Sequence, residues 1–94
     1  MAKPQVIDID EHALLRAEER GRQYGLNYIE TNERIFSTVK RGGLAKRKHL
    51  SKTGKTYYHY FQDNVAFYVI GQEKEYQEYM KILIRTIIIE EGRE

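Results

Sequence analysis

The spacing of hydrophobic positions changes period near the middle of the chain. Ala13, Leu14, Ala17, Gly21 and Tyr24 fall on one arc at roughly 3.6-residue spacing, which predicts a first helix with one buried stripe. Asp10 suits its N-cap, with Ile9 placed to staple onto Leu14, and Gly25 can supply a left-handed stop. A second helix is expected from Asn27, with Glu30 answering the cap from the third helical position. It runs through Ile35, Phe36 and Val39 to Gly42-Gly43, with Lys40 and Arg41 favourably placed in its last turn.

After Gly43 the pattern alternates with a period of two. Leu44–Leu50 is a basic candidate strand, and Ser51-Lys52-Thr53-Gly54-Lys55 reads as a turn. Thr56–Phe61 is a Tyr-rich strand, and Asp63-Asn64 marks a tight turn. Val65–Ile70 reads as a buried strand, with Val65, Phe67 and Val69 on one face. Gly71–Tyr76 reads as a polar connection. Met80–Ile89 is the last strand, with Ile82, Ile84, Thr86 and Ile88 opposite Leu83, Arg85, Ile87 and Ile89; a short helix over Tyr76–Ile84 is the alternative. The order α-α-β-β-β-β predicts an α+β fold: two N-terminal helices packed on a four-stranded antiparallel sheet, one domain over residues 1–94.

Charge adds what periodicity cannot. Between Arg34 and Gln62 there is no Asp or Glu but eight basic residues: Arg34, Lys40, Arg41, Lys46, Arg47, Lys48, Lys52 and Lys55. The formal net charge of +2 is thus about +8 in this window and −6 in the flanks. Such a local field points to a polyanion, and RNA or another nucleic acid is the expected partner. The absence of Cys excludes a disulfide scaffold and a thiolate metal site, and His12, His49 and His59 lack zinc-ligand spacing, so neither metal nor cofactor is expected. The opening MAKPQVIDIDEH lacks the apolar run of a signal peptide, and no apolar stretch is long enough to span a bilayer. The expectation is a cytoplasmic protein without a membrane partner.

The string His12-Ala-Leu-Leu-Arg16-Ala-Glu-Glu19-Arg20-Gly21 resembles the H-x3-R-x2-ER-G opening of small proteins related to the RelE and BrnT toxins. The second helix ending in Gly, the four strands and the closing apolar strand Ile82–Ile88 with its embedded Thr86 follow in that family's order, so the resemblance spans most of the chain. It implies the barnase–colicin–RelE-like fold, an mRNA-interferase type of ribonuclease activity and a cognate antitoxin. It also implies that Arg85 is a phosphate ligand near the sheet centre.

Several side chains carry candidate chemistry. His12, Arg16 and Arg20 are spaced i, i+4, i+8 and form one stripe of the first helix. A neutral imidazole can act as general base on a ribose 2′-hydroxyl, and a nearby Arg can stabilise charge on a phosphorane-like transition state, so metal-independent RNA cleavage is chemically available. The alternative is a solvated face, with Glu19 paired to Arg16. Lys46, Arg47, Lys48, Lys52 and Lys55 suit a nucleic-acid backbone or, more plainly, protect a strand edge. Among Tyr57, Tyr58, His59, Tyr60 and Phe61, one alternate set should be core, and the other is available to stack on bases or on its own sheet. If Arg85 faces outward, Leu83, Ile87 and Ile89 surround it with apolar surface suited to a homodimer through the last strand or to an inhibitory partner. The readings left open are thus a ribonuclease, a non-catalytic nucleic-acid-binding module and a protein-interaction module.

Overall fold

A computed structural model describes residues 3–44 and 54–92. The chain enters as a strand, β1 (Gln5–Ile9), which ends where Asp10 caps helix α1 (Glu11–Gln23) by accepting from Ala13 N at 3.4 Å. Ala13, Ala17 and Gly21 of α1 are buried, as their arc predicts, and Leu14 and Tyr24 pack against the core at its margins. The helix stops in a Schellman arrangement. Gly25 takes φ +80°, its N–H donates to Arg22 O at 3.1 Å, and Leu26 N donates to Gly21 O at 2.9 Å.

Helix α2 (Tyr28–Arg41) opens with the expected capping box: Glu30 N donates to the Asn27 side chain at 2.7 Å, and Asn27 N to Glu30 Oε1 at 3.2 Å. Its buried stripe is Thr31, Ile35, Thr38 and Val39. The two threonines tolerate burial because their hydroxyls donate back to Asn27 O at 2.9 Å and Arg34 O at 2.7 Å. Phe36 is only half-buried.

The chain then forms β2 (Gly43–Leu44), β3 (Lys55–Phe61), β4 (Val65–Glu75) and β5 (Met80–Glu91). The α+β class is therefore observed, and from α1 onward the elements follow the α-α-β-β-β-β succession. Two features depart from the expected sheet. β1 lies beside β5 and runs parallel to it, pairing Gln5–Ile9 with Met80–Ile84, so the sheet is mixed, with the order β1-β5-β4-β3-β2. Gly71–Glu75, expected as a connection, continues β4 instead, because the long first half of β5 supplies it with hydrogen-bonding partners. No helix forms over Tyr76–Ile84; a turn closed by Tyr76 N donating to Tyr79 O at 2.8 Å leads straight into β5. Of the expected basic strand Leu44–Leu50, only Leu44 falls within the described residues. The positions Lys46, Arg47, Lys48 and Lys52 lie outside them.

The faces of β5 also differ from strict alternation. Ile70 pairs with Thr86, but Gly71 pairs with Ile84, so Arg85 is the extra residue of a β-bulge. Ile82 and Ile84 face the helices before the bulge, and Ile87 and Ile89 do so after it. Directly opposed residues share a face, and Ile89 stands opposite Phe67 and Ile87 opposite Val69 of the core. The expected apolar surface of Leu83, Ile87 and Ile89 around Arg85 is consequently absent. Ile89 is buried, Ile87 packs against the core and Leu83 is half-buried, while Arg85 and Thr86 are exposed.

Both helices cover one face of the sheet, over a core of Ala17, Leu26, Ile35, Val39, Tyr57, Val65, Phe67, Val69, Ile82, Ile84 and Ile89. Arg34 of α2 ties the helix layer to the β3–β4 turn. It holds Asp63 in a two-pronged pair, Nη1–Oδ1 2.9 Å and Nη2–Oδ2 2.6 Å, and its guanidinium lies 4.6 Å from the Phe61 ring centre. The turn itself uses Asn64 at φ 70°, a conformation asparagine tolerates, with its N–H donating to Phe61 O at 3.1 Å.

The hydrogen bonds from Arg34 hold the Asp63 carboxyl below its ordinary value. The folded protein therefore binds that proton less readily than the unfolded chain does. The stabilisation is complete above the unfolded value of about 3.9 and disappears as pH falls through the lower native value. The Asp63 side chain is 47% exposed, so solvent screening limits the pair to ~1 kcal/mol. Asp63→Asn is expected to lower urea stability by that amount at pH 7, with the difference from the parent vanishing near pH 2. A constant difference across this range would sink the assignment.

Candidate functional site

Two short contacts set α1 alongside the second half of β5. Asp10 N donates to Ile84 O at 2.9 Å, and Glu91 N donates to the Tyr24 hydroxyl at 3.2 Å. β1 ends at Ile9, so from Arg85 onward β5 has no strand beside it on that edge among the described residues. The outer flank of α1 faces this edge, and a furrow forms between them.

The first part of the furrow is a cleft of about 350 Å³ lined by Asp10, His12, Ala13, Arg16, Arg85, Thr86, Ile87 and Ile88. It brings His12, Arg16 and Arg85 together. His12 and Arg16 come from successive turns of α1, and Arg85 comes from the bulge, some seventy residues later in the chain. All three are exposed, and none makes a side-chain hydrogen bond or ion pair among the described residues. The local Arg16–Glu19 pair that would make the stripe a plain solvated face does not form. Sequence spacing had no means of signalling Thr86 and the edge of Ile87–Ile88 as cleft walls, because the bulge that presents them is a tertiary feature.

The basic window behaves differently. Two of its four described members are neutralised by acids from just outside it. Arg34 is held by Asp63, and Lys55 Nζ pairs with Glu73 Oε1 at 2.9 Å. The same Glu73 oxygen accepts from the Tyr57 hydroxyl at 2.7 Å. The bonds from Tyr57 and then Lys55 hold the Glu73 carboxyl low, whereas burial, reinforced by Glu73, pushes the Tyr57 phenol up. Lys55 is thus engaged within the sheet rather than freely presented. The chain leaves the described residues at Leu44 on β2 and re-enters at Gly54 before β3, so both ends of the basic segment sit at the far side of the sheet from α1. β3 stands two strand spacings, ~10 Å, from β5. The structure therefore does not bring Lys55 to the cleft.

Of the aromatic run, Tyr57, His59 and Phe61 belong to the helix-covered face. His59 meets Phe61 edge-on at 4.5 Å, and Phe61 meets Phe67 at 5.5 Å. On the opposite face, Tyr58 lies against Tyr68 at 4.7 Å, and the Tyr60 hydroxyl hydrogen-bonds Asn64 Oδ1. Among the described residues no three His, Cys, Asp or Glu side chains converge, and no helix is long and apolar enough to cross a membrane.

Comparison with known proteins adds no relative: no family model, no curated protein and no solved structure matches this chain.

Proposed function

We propose that this protein is an RNA-binding, toxin-like domain that cleaves RNA without a metal ion in the cleft between α1 and β5. The observation that carries the reading is the meeting of His12, Arg16 and Arg85, three uncommitted side chains from two elements, in one cleft. The H-x3-R-x2-ER-G resemblance supports it from the sequence side. In this reading His12 takes the proton of a ribose 2′-hydroxyl as that oxygen attacks phosphorus. The P–O5′ bond breaks as the P–O2′ bond forms, giving a 2′,3′-cyclic phosphate, and the departing 5′-oxygen takes its proton from solvent water. Arg16 and Arg85 stabilise the charge that gathers on the non-bridging oxygens. Lys46, Arg47, Lys48 and Lys52 hold the flanking strand, with Lys55 contributing less because Glu73 neutralises it. The partners are RNA and an antitoxin whose acidic or amphipathic segment covers the basic surface, and the location is the cytoplasm.

A second reading, a non-catalytic nucleic-acid-binding module, is favoured by one observation. Among the described residues the cleft contains a single imidazole, and its other titratable acid, Asp10, is engaged as the cap of α1. Purified protein incubated with RNA in EDTA at about 50 and 150 mM salt, scored for cleavage and gel shift together, separates the two. Cleavage is expected. Intact but salt-sensitively shifted RNA would replace the nuclease reading with the binding module, and the absence of both signals would remove RNA from the account.

A further inference from the structure

The cleft does not end at Arg16. It opens into a second hollow of about 340 Å³ lined by Arg16, Glu19, Arg20, Gln23 and Ile87–Ile89, and the two hollows share Arg16, Ile87 and Ile88. Together they form one groove with α1 as one wall and, as the other, the edge of β5 that no strand pairs among the described residues. Arg16 and Arg20 are one turn apart along this wall, a rise of ~6 Å, which is the length of one backbone repeat in an extended nucleotide chain. At about 340 and 350 Å³ each hollow is the size of a site for one small ligand, which suits successive nucleotides of one strand rather than a duplex.

Arg20 has the capacity for a ligand. Its only hydrogen bond among the described residues is Nε donating to Ile89 O at 3.5 Å, the outer limit of such a bond, and it makes no ion pair there. That contact leaves its terminal N–H groups, four of the five donors, uncommitted at the wall of the hollow that Arg20 lines. Gln23 adds a neutral amide one turn further on, and among the described residues Glu19 is the single opposing charge in this hollow. We infer that the ligand of this site is a single-stranded chain bearing at least two consecutive phosphates, the first at Arg16 and Arg85 and the second at Arg20. The inference rests on the phosphodiester reading of the His12 cleft and extends it in length and direction along α1.

The test uses 2′-O-methyl oligonucleotides, which lack the attacking hydroxyl and stay intact. Fluorescence anisotropy in low salt would compare a dinucleotide, which has one internucleotide phosphate, with a trinucleotide, which has two. The parent is expected to bind the trinucleotide roughly fivefold more tightly. Arg20→Gln should lose that gain while binding the dinucleotide as the parent does, Arg20→Lys should keep most of it, and Glu19→Gln should tighten the trinucleotide alone. Equal weakening of both ligands by Arg20→Gln, or no gain with length in the parent, would overturn the second phosphate position. Should Arg20→Gln fold poorly, the Glu19→Gln result decides, because that side chain is exposed and bonds to nothing described. Failure of the nuclease reading is a different outcome: unmodified RNA would stay intact although the length-dependent gain through Arg20 persists.

Discussion

Replacing His12 with alanine is expected to slow RNA cleavage by roughly 10²–10⁴-fold while leaving the thermal midpoint unchanged. The two halves of that expectation rest on different observations. His12 is exposed in the first turn of α1, makes no hydrogen bond within the described structure, and lies outside the core, so its truncation removes no packing. Alanine is also an excellent helix former. Rate, by contrast, depends on moving a proton at the 2′-oxygen, and among the described residues His12 is the only imidazole lining the cleft. Arg85→Ala should reduce cleavage by roughly 10²-fold through lost charge stabilisation, again with little change in stability, because Arg85 is exposed. Single-turnover rates alongside thermal melts check both variants. A His12→Ala protein that cleaves as fast as the parent would remove His12 from the mechanism, whatever the fate of Arg85.

Gly21→Ala should destabilise the protein by ~2 kcal/mol, equivalent to a fall in midpoint of roughly 10 °C, although the same change in an ordinary helix interior stabilises by about 1 kcal/mol. The sign reverses because of what faces Gly21. A Cβ there would stand 2.2 Å from Thr31 Oγ1 and 3.3 Å from both Thr31 Cβ and Cγ2. Thr31 is fully buried and its hydroxyl is bonded to Asn27 O, so it has no space to retreat and α1 must move away from α2. Since α1 carries His12 and Arg16, cleavage should fall as well. Thr31→Ala in the same chain removes the obstructing atoms and is expected to restore part of the lost stability. A double-mutant cycle in urea measures this directly, and simple additivity of the two changes would show that the Gly21–Thr31 contact is not the cause.

Much of the helical layer was legible in the sequence because it is written locally. The caps at Asp10 and Asn27, the left-handed stop at Gly25 and the buried stripe Ala13–Ala17–Gly21 all depend on residues within about four positions of one another. The order of the later strands and the turn at Asp63-Asn64 were legible for the same reason. The strand Gln5–Ile9 was not, although it alternates, because five residues without a neighbouring hairpin become a strand only through a partner such as Met80–Ile84 at the other end of the chain. The strand continuing through Gly71–Glu75 was hidden in the same way. Its residues look like a loop until β5 stands beside them.

By itself the sequence determined the α+β class, the helix limits, a helical stripe of His12, Arg16 and Arg20, and a basic stretch free of acids. Folding decided how those charges are used. Arg34 and Lys55 belong to the basic stretch by position, yet Asp63 and Glu73 neutralise them across a turn and a neighbouring strand, because Coulomb attraction follows distance in space. One extra residue in β5 decided the rest. Strand side chains alternate strictly, so the bulge at Arg85 carries Ile87 and Ile89 over to the core face. It leaves Arg85 at an open edge, opposite His12 and Arg16 on the helix that lies alongside.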